Sequence, residues 1–190
     1  SLTINSVPAP IQSISNVNGQ QQAVFQTPCE TPVGNVTAVA SAGGTSTTVA
    51  GVNVYAAQPG IFYTTGANGK NYGQVTRAAD GTFVSATNPL HRGEVYYMAV
   101  TGLGQVSPPT STNSAGVQNQ NVVYPLIVGV NNAGIQITSA YYQPGAIGVY
   151  LVGFVVPLNA TTGADQPLAV AATVNGQLVF GNPVYLYSVN

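Results

Sequence analysis

Charge is what this 190-residue chain has least of: three Lys or Arg, four Asp or Glu and one His leave a formal net charge of -1. Soluble domains carry roughly 25% charged residues, against 4% here. Three basic side chains cannot neutralise a phosphate backbone, which excludes nucleic-acid binding through a basic surface. Cys29 is the single cysteine, so no intrachain disulfide and no cysteine-built metal site can form. No apolar run reaches the roughly 18 residues of a membrane-spanning helix. No basic, apolar leader stands before Ser1, so the expectation is that any export signal has been removed.

What is present is enough apolar material for a core, 45% of residues, with Ser, Thr, Asn and Gln doing the solvating. A chain with so few charges lacks the repulsion that keeps monomers apart and is prone to associate. A neutral amide and hydroxyl surface studded with tyrosine points to an extracellular structural protein, secreted or held at the cell surface.

The local patterns are those of strands. Ser1 to Ser6, Val36 to Ser41, Gly93 to Thr101, Pro125 to Val130, Val149 to Val156, Leu168 to Val174 and Val184 to Val189 are rich in Val, Ile, Thr and Tyr and bounded by Gly, Pro or Asn. No stretch carries a capped 3.6-residue period. Asn18-Gly19, Asn68-Gly69, Asp80-Gly81 and Asn175-Gly176 supply the positive-φ residues of tight turns. Many short strands joined by such turns predict an all-β sandwich.

The strongest signal is internal repetition. Leu2, Ile4, Ala9, Ile11 and Gln12 line up with Leu126, Val128, Ala133, Ile135 and Gln136. Further on, QAVFQTPCETPVG aligns with VYLVGFVVPLNATTG, placing Phe25 near Phe154, Pro28 on Pro157 and Gly34 on Gly163. NVTAVASAGGTSTTVAGVNVYA then parallels PLAVAATVNGQLVFGNPVYLYS. The second copy is preceded by the strand-like GEVYYMAVTG, and the first has no counterpart. The predicted organisation is two tandem Ig-like β-sandwich modules, the first lacking its N-terminal strand: residues 1–57 an incomplete module, 58–91 a hairpin-containing connector, and 92–190 a complete module. A missing strand leaves an unpaired edge and uncovered apolar surface. Leu2, Ile4 and Phe25 are the residues expected to line it. The expected remedies are a strand from another chain, by β-augmentation, or an upstream part of the same precursor that lies outside this sequence.

The elements VPAP (Val7 to Pro10), QAVFQTPCETPVG, QPGIF, DGTFVSATNPLHRGEVYYMAVTGLGQVSPP and AIGVYLVGFVVP, in this order, resemble the uncharacterised Solibacter-type C-terminal domain family of exported bacterial proteins with Ig-like modules. The resemblance spans nearly the whole chain and implies the same sandwich fold, without an activity. Members usually continue upstream with a strand resembling GEVYYMAVTG, which implies that this chain starts partway into its first module. Cys29 stands where members usually carry an aromatic residue, a departure that argues against a catalytic thiol.

Chemistry-bearing residues are sparse. His91 lies near Arg92 and Glu94, but a catalytic dyad needs a nucleophile or water held by a second tuned group, and a loop histidine before a strand is the plainer reading. No GxSxG, HExxH, phosphate-loop or calcium-loop pattern occurs, and Glu30, Asp80, Glu94 and Asp165 are dispersed. No enzyme activity, cofactor or metal is expected. Cys29 reads as a small, partly buried packing residue. The pairs Tyr96-Tyr97 and Tyr141-Tyr142 each put one ring inward and one outward, with Tyr142 taken as an outward, glycan-stacking ring. Asn35-Val36-Thr37 and Asn159-Ala160-Thr161 meet the N-glycosylation pattern at Asn35 and Asn159. The leading expectation is a self-assembling filament subunit whose partners are copies of itself. The alternative is a glycan- or surface-binding adhesion module of a larger secreted protein.

Overall fold

The computed structural model describes all residues, 1–190. The chain is all-β. The N-terminal strands are β1 (Leu2–Ile4), β2 (Val7–Pro8), β3 (Ile11–Val17), β4 (Gln20–Phe25), β5 (Gly34–Ala42) and β6 (Thr45–Val54). Short strands follow: β7 (Gly60–Ile61), β8 (Tyr63–Thr65), β9 (Asn71–Gly73) and β10 (Val75–Arg77). Next come β11 (Val95–Thr101), β12 (Val106–Ser107), β13 (Asn121–Val122), β14 (Leu126–Val130), β15 (Ala133–Ile135) and β16 (Ile137–Tyr142). The chain closes with β17 (Tyr150–Val155), β18 (Gly163–Val174), β19 (Gln177–Phe180) and β20 (Val184–Val189).

Two seven-stranded sheets form the larger body. One runs β10-β11-β17-β16-β13-β12 with β7 beside β11, and the other β15-β14-β18-β20-β9-β8 with β19 beside β18. Tyr96, Met98, Val100, Val152 and Phe154 from the first meet Val128, Leu168, Val170 and Leu186 from the second in a cluster of 21 buried residues. Alternation along each strand supplies these inward residues.

The N-terminal strands repeat this pattern without its packing. The sheet β2-β1-β5-β6 has the order of β15-β14-β18-β20, and β3-β4 pair as β16-β17 do. The correspondence reaches single residues. Asn5 and Ser6 turn at φ 50° and 64°, Asn131 and Asn132 at 49° and 61°, and Gly34 and Gly163 both take φ 125°. The pair Ile11↔Phe25 is followed by a register shift before Ser13, as Ile137↔Phe154 is before Ser139. Yet only Ile4, Ala9 and Val36 are buried together here.

The structure corrects the alignment of the repeat. Turn Asn5-Ser6 matches turn Asn131-Asn132, so Leu2 corresponds to Val128 and Ile4 to Val130, two positions on from the sequence match. A two-residue slip keeps every side chain on its own face of a strand, so hydrophobic alternation cannot detect it.

Residues 58–91 are also not a connector. β7 and β10 pair with β11, β9 pairs in parallel with β20, and Ile61, Val75, Val84 and Leu90 join the large core. The partners of these short strands are distant in sequence, so nothing local announces them. No helix is long and apolar enough to cross a membrane.

Candidate functional site

The strand β17 is held on both sides: β16 pairs along one edge and β11 along the other, over six residues from Val95↔Val155 to Val100↔Tyr150. Its counterpart β4 has β3 on one side and no strand on the other. All thirteen residues of the two strands, seven in β3 and six in β4, are exposed. Ile14, Val17, Val24 and Phe25 present large apolar side chains to solvent there. A row of unpaired N–H and C=O groups beside apolar side chains is a template for another strand.

Of the residues expected to line this edge, Phe25 lies on β4 and is exposed. Leu2 and Ile4 do not lie on an edge, because β1 is flanked by β2 and β5. They belong instead to the small apolar cluster, where Ile4 is buried and Leu2 half-buried. Two positive-φ turn residues, Asn5 and Ser6, fold β2 back over β1, at a step without the glycine that marks such turns in a sequence.

The corner after β4 is tied to the larger body. Thr112 Oγ1 accepts from Cys29 N at 2.8 Å and donates to Glu30, and Asn113 N donates to Gln26 Oε1 at 2.8 Å. The hydrogen bond from Thr112 holds the Glu30 carboxyl below its ordinary pKa. Cys29 is exposed, which corrects its expected packing role: the buried member of this corner is Pro28. Partial desolvation, reinforced by the Glu30 charge, raises the thiol pKa, so its reactive thiolate is scarce at neutral pH.

A second feature is a groove of about 370 Å³ on the outer face of the β10-β11-β17 sheet. Phe62, Phe83 and Tyr97 provide rings and Gln74, Thr76 and Gln143 provide hydrogen-bonding groups, with no charged residue in the lining. Its residues come from six separated segments, so no sequence motif marks it. Strand alternation gave only that one ring of the Tyr96-Tyr97 pair faces outward. Tyr97 and Tyr141 meet edge to face at 6.2 Å, whereas Tyr96 and Tyr142 are both 1% exposed. Tyr142 is therefore the inward ring of its pair, reversing the expected phase. The register shift between Ile137 and Ser139 moves the alternation by one residue.

The charged side chains settle into small groups. Arg77 grips Glu94 through two nitrogens and reaches Asp80 at 3.3 Å. Tyr96 Oη donates to Glu94 at 2.9 Å, and burial pushes its own pKa up to about 12. Lys70 meets Asp165 at 2.7 Å, Tyr72 Oη donates to Asp165 at 2.5 Å, and Tyr72 stacks on Tyr187 at 3.9 Å. His91 is exposed, and its backbone N donates to Tyr96 Oη at 2.9 Å. Arg92 donates to Ala160 O at 2.8 Å, so it does not converge with Glu94. Asn35 is exposed on β5 and Asn159 in the turn before β18.

These features define an all-β protein whose first strand set repeats the second but leaves open the edge that β11 closes in the second. Compared with protein-family models, curated proteins and solved structures, the chain matches none of them.

Proposed function

We propose that the protein is an extracellular structural subunit that self-assembles into a surface filament or fibre, its copies joined by β-strand complementation. The observation that carries the reading is the free edge of β4, set against the fully paired edge of β17. The exposed Ile14, Val24 and Phe25 give an incoming strand apolar surface to cover, at about 25 cal/mol per Å² buried. A net charge of -1 offers little repulsion between copies. The surface, poor in charge and rich in amides and hydroxyls, supports a location outside the cell. The test is light scattering across a concentration series, with electron microscopy of the same samples. Growth into oligomers or fibres supports the reading. A chain that stays monomeric at high concentration, with β3 and β4 protected from hydrogen exchange, overturns it.

The groove favours a second reading, a glycan-binding adhesion module. Aromatic faces with amides and no charge suit a neutral sugar. Titration with neutral oligosaccharides should then show saturable binding that Phe83→Ala weakens about fivefold, since stacking contributes about 1 kcal/mol. Binding that ignores Phe83 would remove the reading.

A further inference from the structure

The repeat specifies more than a vacancy, because it transfers a register. Gln26 N donates to Pro10 O at 2.9 Å, and Val155 N donates to Gln136 O at 3.0 Å. With the shared register shifts after Ile11 and Ile137, these bonds align Phe25 with Phe154, Val24 with Gly153, Ala23 with Val152 and Gln21 with Tyr150. Along an antiparallel strand the N–H and C=O groups of successive residues point to opposite sides. Gln26 points toward β3, so Phe25, Ala23 and Gln21 point their backbone groups at the empty side.

In the larger body that side is filled by Tyr96, Met98 and Val100, opposite Phe154, Val152 and Tyr150, and all three are buried. The floor beneath them differs between the two strand sets. Val130↔Leu168 and Val128↔Val170 correspond to Ile4↔Ala38 and Leu2↔Ala40. Ala38, Ala40 and Ala23 thus stand where the complete set has Leu168, Val170 and Val152. Protein interiors are filled to crystal-like density, so a shallower floor calls for larger side chains above it. β4 itself carries no charge.

We propose that the open edge of β4 is a register-specific acceptor. It takes an extended segment antiparallel to β4 with large, uncharged apolar side chains opposite Phe25, Ala23 and Gln21, in the register that β11 holds on β17. The proposal rests on the strand-complementation reading and names the chemistry of the partner. The edge of β3 is the weaker candidate, because its counterpart β16 gains only one residue pair from β13, against six between β11 and β17.

The probe is a synthetic peptide with the sequence of Gly93 to Leu103, added to the full chain. Hydrogen exchange should slow at the amides of Phe25, Ala23 and Gln21, while Val24 and Gln22, already turned toward β3, stay unchanged. Register is read in a chain carrying Cys29→Ser and Val24→Cys, with peptides bearing one cysteine in place of Val95, Tyr97 or Ala99. Position 97 pairs with the counterpart of Val24, at a non-hydrogen-bonded pair close enough for a disulfide. With oxidised and reduced glutathione as the redox buffer, it should form the mixed disulfide about tenfold more than positions 95 and 99, two residues away along the strand. A peptide with Tyr96, Met98 and Val100 replaced by alanine should not bind. Equal disulfide yields, protection along β3, undiminished binding of the alanine peptide, or no binding at millimolar peptide each overturns the proposal. A chain that is monomeric alone yet captures the peptide in register removes the filament and keeps the acceptor. A chain that polymerises through another register does the reverse.

Discussion

At the scale of single residues, the few charges act locally. Hydrogen bonds from Lys70 and Tyr72 depress the Asp165 pKa, Arg77 and Tyr96 depress that of Glu94, and backbone and side-chain bonds from Thr82 depress that of Asp80. A carboxylate whose folded pKa is lowered contributes stability that is present above its unfolded pKa and lost as pH falls through the folded one. Melting temperature should therefore be flat from about pH 5 to 9 and fall below about pH 4, where these groups take up protons. A melting curve that peaks sharply near neutrality would contradict this. Packing gives a second residue-scale prediction. A Cβ on Gly153 would lie 2.5 Å from Thr138 Oγ1 and 2.7 Å from Ser139 Oγ, so Gly153→Ala should cost about 1 to 3 kcal/mol in urea denaturation. At the equivalent exposed position, Val24→Ala should change stability by less than about 0.5 kcal/mol. Sequence reading reaches this scale unevenly. Asn18-Gly19 and Asn175-Gly176 form hairpin turns with φ 53° and 83°, and 50° and 76°, as positive-φ chemistry predicts. The facing of Tyr142 was misread because one bulge upstream inverts a period-2 pattern.

At the scale of elements, two copies of one hairpin experience different surroundings. β16-β17 lie between β11 and β13 and over a packed core, whereas β3-β4 stand free, and an isolated two-stranded hairpin is marginal in water. Amide exchange should accordingly be fast throughout β3 and β4 and slowest in β11 and β17, with the gap measured residue by residue by NMR. Comparable protection in both hairpins would show that the first is closed by contacts of its own. The strands around Val95–Thr101, Tyr150–Val155 and Val184–Val189 were legible because each is long, β-branched or aromatic, and bounded by turn residues. Those of residues 58–91 were not, since strands of two or three residues exist only through their partners. Leu2 and Ile4 illustrate the same limit: their burial pattern was readable, but whether β1 sits inside a sheet or at its rim depends on where β2 returns.

At the scale of the whole molecule, 21 buried residues hold one strand set together and three hold the other. Urea unfolding should be biphasic, with an early, low-amplitude phase for the N-terminal strands and a later cooperative phase for the rest. A single transition coincident by all probes would refute that division. Self-association driven by apolar and backbone contacts should persist when salt rises from about 0.1 to 1 M, because screening has almost no charge to act on; dissociation in high salt, followed by light scattering, would point to ion pairs instead.

The amino-acid sequence alone determined the all-β character, the turn positions and the repetition of one strand pattern, since each follows from neighbours along the chain. Strand alternation, positive-φ residues and the scarcity of charge act over a few residues and read the same in any context. Tertiary structure decided which strands are edges, that residues 58–91 belong to the larger sandwich, that Phe62, Phe83 and Tyr97 share a groove, and that β4 lacks the six-residue neighbour its counterpart has. Those outcomes depend on pairing between residues far apart in the chain, where closure entropy and packing, rather than local preference, select the partner.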